Sequence, residues 1–153
     1  MKIRNGFVSN SSSSSFIVGV GKINDYSKFE KYVKSNGIVL GYDVRIVTMS
    51  DIWQGCSNFV RAYNGNIIVD SFQTDARIPI KEYTGEELFL VVDKCNDEGD
   101  NAFCHGDDWE MDYDIDLSFF DDNDKKLYEA FFSKNSGIDL ENTDARYGAG
   151  RNG

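Results

Sequence analysis

Apolar and polar residues alternate along this chain in two rhythms. Tyr26, Phe29, Tyr32 and Val33 recur at three-to-four spacing, the period of one helix face. Asn24 or Asp25 supplies a cap and Asn36-Gly37 a stop, so a helix is predicted over about 25–35. Leu127, Tyr128, Phe131 and Phe132 mark a second helix over about 122–133, ended by Ser136-Gly137. Shorter apolar runs read as strands. Phe16-Ile17-Val18-Gly19-Val20 is a buried strand and Leu88 to Val92 a central one. Ile38-Val39-Leu40 and Val44-Arg45-Ile46-Val47 read as one strand, or two, around Gly41. Phe59 to Tyr63 and Asn66 to Val69 flank Asn64-Gly65, the sequence of a type I′ hairpin turn.

Strands outnumber helices and do not alternate regularly with them, which predicts an α+β fold: mainly antiparallel sheet with two helices. Residues 16–142 are expected to form a single α+β domain. Residues 1–15 are expected to be a flexible Ser-rich N-terminal arm, because Ser9 and the five serines Ser11 to Ser15 hydrogen-bond readily to their own backbone. Residues 143–153 are expected to be a flexible Gly-rich tail.

Composition narrows the class. In 153 residues, 41% hydrophobic and 14% aromatic content is enough for a core and argues against wholesale disorder. The net charge of −10 argues against direct, general nucleic-acid binding, which needs clustered cations. Apolar runs such as Leu88 to Val92 fall far short of the roughly 20 residues of a membrane span. After Met1-Lys2-Ile3-Arg4, serines stand where a signal peptide would place its apolar region, so a cytoplasmic location is expected. Three sparse cysteines, Cys56, Cys95 and Cys104, suit reduced thiols.

The charge is concentrated. Between Asp93 and Asp124 there are thirteen acids and one cation, Lys94, giving −12, while the rest of the chain carries +2. Within that window Trp109, Met111, Tyr113, Ile115, Leu117 and Phe119 alternate with Glu110, Asp112, Asp114, Asp116 and Ser118. Period two predicts a strand over Trp109 to Phe119 with an apolar face and a row of four carboxylates roughly 6.8 Å apart. Asp is a poor strand former. Solvation, a bound cation or a basic partner must therefore favour the arrangement. Three readings follow. One is a solvated face that keeps the chain soluble and blunts a sheet edge. The second is a surface that docks on a basic partner through Asp107, Asp108, Glu110, Asp112, Asp114 and Asp116, with imitation of nucleic acid as one form of it. The third is a metal-dependent phosphoester enzyme using acids of residues 93–116.

Other candidate chemistry is thinner. Cys56, Cys95, Cys104 and His105 form a conceivable zinc set, but they lack paired CxxC spacing. His105 is the single histidine, and its acidic surroundings favour the protonated form, a poor general base. Gly148-x-Gly150-x-x-Gly153 has no helix after it to receive a pyrophosphate. Gly19-Val20-Gly21-Lys22 lacks the first glycine and the Ser/Thr of a P-loop. No calcium-loop register fits: Gly99 at the sixth position puts Lys94 first and His105 twelfth. Trp53, Tyr63, Phe72 and Tyr83 would make a base-stacking patch only with cations beside them; core packing is the simpler role. No motif requires a cofactor.

The run from Ile3 to Val18, with Gly6-Phe7-Val8-Ser9-Asn10, five serines and Phe16-Ile17-Val18, resembles an N-terminal segment of small tailed-bacteriophage proteins of unassigned function. The resemblance covers about a tenth of the chain and implies source more than activity. It carries no catalytic residue. Together with the acidic block it sets the leading expectation: a small phage accessory protein, non-enzymatic, that binds a host or defence protein with a basic surface in the infected cell. A virion structural component is the remaining alternative.

Overall fold

A computed structural model describes residues 12–69, 77–79, 84–97, 109–111 and 120–152. Eight strands and three helices lie within them, in the order β1 (Ser12–Ile23), α1 (Tyr26–Ser35), β2 (Val44–Thr48), α2 (Met49–Trp53), β3 (Val60–Tyr63), β4 (Asn66–Val69), β5 (Arg77–Pro79), β6 (Leu88–Asp97), β7 (Trp109–Met111), α3 (Asp122–Ala130) and β8 (Ile138–Asn152). The strands form a five-stranded sheet, β2-β6-β1-β8-β7, and a three-stranded sheet, β3-β4-β5. Every pairing is antiparallel. The fold is α+β.

The organising element is β1, in the middle of the larger sheet. Side chains alternate across a strand, and here both faces are covered. Phe16, Val18 and Val20 join Val47, Phe89 and Val91, the α2 residues Met49 and Ile52, and Val60, Ile67, Val69 and Ile78 of the smaller sheet. Ile17 and Ile23 join Leu90, Val92, Ala145 and Ile138 beneath Phe29 of α1 and Leu127 and Ala130 of α3. The molecule is therefore three layers: smaller sheet with α2, larger sheet, then α1 with α3. Two-sided burial explains why β1 and β6 read as continuous apolar runs rather than alternating ones.

Local chemistry sets the ends of the elements. Asp25 caps α1, its carboxylate accepting from Lys28 N at 3.0 Å. Asp121 does the same for α3, accepting from Asp124 N at 2.9 Å. The Asn64-Gly65 turn has φ of 51° and 77°, both positive as a type I′ turn requires.

Several sequence expectations need correction. The serine arm is not wholly a loop: β1 begins at Ser12, and Ser14 and Ser15 pair with Asp97 and Asn96 on one side and with Gly150 and Ala149 on the other. Flanking strands satisfy the backbone, and that outweighs the turn preference of serine. Nor is 143–152 a frayed tail. It is the end of the 15-residue β8, where Gly148 lies opposite Phe16 in the register. A glycine facing an aromatic residue leaves room for the ring, a pairing that rescues glycine in sheets. Residues 38–40 are not a strand, and helix α3 ends at Ala130 rather than near 133. The α2 helix was not expected, although Thr48 and Asp51 make a capping box, with Asp51 N–Thr48 Oγ1 at 3.1 Å and Thr48 N–Asp51 Oδ2 at 3.0 Å. Of the strand expected over Trp109 to Phe119, Trp109–Met111 is β7; residues 112–119 lie outside the described residues.

Gly137 turns the chain from α3 into β8 with φ 79°, and a Cβ there would stand 2.5 Å from Asp25 O and 2.9 Å from Phe29 N. Gly65, with φ 77°, has nothing within 4 Å. Gly137→Ala is expected to cost roughly 2 kcal/mol or more, through both backbone strain and displacement of α1. Gly65→Ala should cost only about 1 kcal/mol, from conformation alone. Urea titration of the two variants beside the parent checks the ordering.

Candidate functional site

The acidic block divides according to what its members touch. Asp93 and Lys94 are neighbours at the end of the apolar run of β6, so they stand on opposite faces of the sheet. Asp93 faces the smaller sheet, where Arg45 grips both its oxygens, Nη1–Oδ1 at 3.3 Å and Nη2–Oδ2 at 3.1 Å. Lys94 faces the helical layer, and its Nζ donates to Asp124 Oδ1 at 2.7 Å. The Asp124 side chain is only 4% exposed, so the pair largely replaces its hydration. Asp121 is spent on the helix cap. Asp122, 87% exposed, stands 3.4 Å from Lys125. Each of these four acids thus has an intramolecular role.

The other nine acids fall within residues 97–116, a stretch containing no lysine or arginine. Asp97 ends β6, opposite Ser14. Glu110 sits in β7, its backbone opposite Arg151 of β8. The expected docking residues Asp107, Asp108, Asp112, Asp114 and Asp116 lie outside the described residues.

The two edges of the larger sheet differ. On β2 the odd positions pair toward β6, as Asp93 N–Asp43 O at 3.0 Å shows. The outward-facing groups of Val44 are closed by Gly41, at 3.0 and 3.2 Å, and Thr48 N is taken by Asp51. That edge is blunted at both ends. The opposite edge is β7, which among the described residues pairs with β8 alone. The acidic segment enters the sheet there.

A second feature went unnoticed in the sequence. A polar cavity of about 190 Å³ opens between the start of β2 and the loop into β3, lined by Tyr42, Asp43, Arg45, Cys56, Asn58 and Phe59, with Asp93 at its back. Arg45 is pinned there: besides Asp93, Nη1 donates to Tyr42 O at 2.6 Å and Nη2 to Cys56 O at 2.9 Å. Burial works against its charge, but the Asp93 carboxylate outweighs that and holds its pKa above the ordinary value. Burial pushes the Cys56 thiol up, partly offset by Arg45, which makes it a poor nucleophile at neutral pH. The sequence held no signal for this cavity, because its walls come from three separate segments.

The remaining candidates are only partly within the described residues. Cys56 is a free thiol in the cavity wall, Cys95 lies in β6, and Cys104 and His105 fall outside the described residues. Among the described residues no three His, Cys, Asp or Glu side chains converge on a metal-sized point. Asp93, counted in the phosphoester alternative, is committed to Arg45. Trp53 and Tyr63 are exposed; Phe72 and Tyr83 are outside the described residues. Among those described, no helix is long and apolar enough to cross a membrane. No family model, curated protein or solved structure matches the chain.

Two outcomes follow from these pairs. Lys94→Met strands a buried carboxylate and should cost about 3 kcal/mol, and the double variant with Asp124→Leu should recover most of it. Chemical denaturation of the single and double variants measures this. Asp144 gives a pH dependence. Its Oδ2 is buried without a hydrogen-bond partner, and burial raises its pKa despite Arg146 Nε at 3.1 Å from Oδ1. The folded state holds this proton more tightly than the unfolded chain, so its contribution to stability falls as pH rises from the ordinary carboxylate value to the raised one. Asp144→Asn should flatten that part of the stability–pH curve, read by denaturation at successive pH values.

Proposed function

We propose that this chain is a non-catalytic binding protein, a small accessory protein of a tailed bacteriophage, that docks through its acidic segment on a basic surface of a host or defence protein in the infected cell. The division of the acids supports this reading. Of the four acids whose surroundings are described, Asp93, Asp121 and Asp124 serve the fold, and Asp122 stands beside Lys125 at the surface. Nine more occupy 97–116, a stretch with no lysine or arginine. Like charges held at such density repel one another, and a cationic partner relieves the repulsion while steering encounter. Duplex DNA presents a charge every ~1.7 Å of axis. A row at ~6.8 Å spacing is sparser, so Asp107 and Asp108 are assigned to the docking surface beside Glu110, Asp112, Asp114 and Asp116.

The test is affinity capture from infected cells at about 0.1 M and about 1 M salt, where the screening length falls from ~10 Å to ~3 Å. The parent chain should hold a basic protein at the lower salt and release it at the higher. Changing Glu110, Asp112, Asp114 and Asp116 together to Gln/Asn should leave the circular dichroism unchanged and the melting temperature no lower, and lower retention about tenfold or more. If the fold survives and every interaction persists, the acidic segment is not the docking surface.

A further inference from the structure

The cavity at the start of β2 has one charge that the fold does not neutralise. Arg45 and Asp93 cancel one another as a two-pronged pair, and four of the five guanidinium N–H donors are used on Asp93, Tyr42 O and Cys56 O. Asp43 is different. Its backbone carbonyl accepts from Asp93 N at 3.0 Å, but among the described residues no cation lies within ion-pairing distance of its carboxylate. Beside it Tyr42 is 88% exposed, the most exposed large apolar residue among those described. Phe59 and Asn58 form the facing wall. An uncompensated carboxylate next to an open aromatic face is the chemistry that holds a cation, by charge-assisted hydrogen bonding and by attraction to the ring.

Size and shape favour one cation. A volume of about 190 Å³ holds about six waters at ~30 Å³ each. That is room for the planar end of an arginine side chain and its last methylenes. A guanidinium stacks flat on a ring while presenting two N–H groups to a carboxylate; an ammonium does neither as well. The place fits too. β6 runs toward Asp97, antiparallel to β2, and Trp109 starts β7 at that end of the strands, so the Asp43 cavity, Asp97 and Trp109 share one end of the sheet, with β2 and β7 as its two edges. Asp93 at the cavity and Asp97 at the start of that segment are four residues apart on one strand, about 14 Å.

We infer that the Tyr42–Asp43 cavity is a subsite for an arginine side chain of the basic protein partner, stacked on Tyr42 and paired with Asp43. The inference rests on the reading that the chain docks on such a partner, and adds to the diffuse charge of the acidic segment a defined anchor. A guanidinium held by a carboxylate and stacked on a ring is a defined contact of the kind that slows dissociation, whereas a charged rim mainly speeds association.

The test is a titration of the isotopically labelled full chain with N-acetyl-arginine amide, followed by amide chemical shifts, with N-acetyl-citrulline amide as the neutral counterpart of like shape. Saturable shifts are expected at Tyr42, Asp43 and Cys56 to Phe59 with arginine and not with citrulline. Asp43→Asn, nearly the same shape and without a partner to lose, should weaken the arginine affinity about fivefold, and Tyr42→Leu about threefold. The variant neutralised at Glu110, Asp112, Asp114 and Asp116 should show the parent's shifts at the cavity. Shifts absent from these residues, equal for citrulline, or unaffected by Asp43→Asn overturn the subsite. Retention of a partner that depends on the acidic segment but not on Asp43 would leave the docking reading standing and the subsite refuted. Cavity shifts without any captured partner would do the reverse.

Discussion

Everything in this fold follows from a central strand with no solvent side. Phe16, Ile17, Val18 and Val20 are each at most 2% exposed, so β1 needs a cover on both faces. One cover is the smaller sheet with α2, the other the pair of helices. The strand must also approach β8 closely. A Cβ on Gly19 would stand 2.8 Å from the Cβ of Ala145, and one on Gly21 2.7 Å from Ile138 Cγ2. Two glycines on the helix-facing side of β1 therefore set how tightly the sheet packs, and the apolar helices above them fill the space that side chains would otherwise take.

Where the apolar run of β6 stops, two consecutive charged residues continue the work. Asp93 reaches one layer and Lys94 the other. Through Arg45, Asp93 ties the larger sheet to the carbonyl of Cys56 in the loop before β3. Through Asp124, Lys94 ties the sheet to the first turn of α3. Both pairs lie at the border of the core, where removing one partner leaves the other poorly hydrated. They specify how the layers sit rather than simply adding stability. This changes what the acidic block means: Asp93 at one end and Asp121 and Asp124 at the other are structural.

Residue spacing alone made much of this legible. The helix faces around Phe29 and Leu127, the Asn64-Gly65 hairpin and the central position of Leu88 to Val92 each rest on short-range rules that tertiary contacts reinforced. The errors share a cause. Ser12 to Ser15 and Thr143 to Asn152 have poor intrinsic strand preference, yet each pairs with its neighbours in a long register that no local window contains. The α2 helix is five residues long, below what periodicity can detect, though its capping box was readable at Thr48 and Asp51. The cavity was invisible for a different reason. Asp43, Cys56 and Asp93 are separated by 13 and 37 positions and meet only because β2 pairs with β6.

The two kinds of acid also answer the question posed by an aspartate-rich strand. A carboxylate that costs strand preference must be repaid by some favourable environment. For Asp93, on β6, that environment is internal, a guanidinium at 3.1 Å; Asp124, on α3, is likewise paired internally, with an ammonium at 2.7 Å. Residues 97–116 contain no such group to offer. Water and salt weaken the repulsion among nine carboxylates but do not turn it into attraction. A cationic surface removes that repulsion and is itself discharged, so both partners gain from one contact. The uncompensated Asp43 at the same end of the sheet extends the pattern, since it sits where an arriving guanidinium would find a ring to lie against.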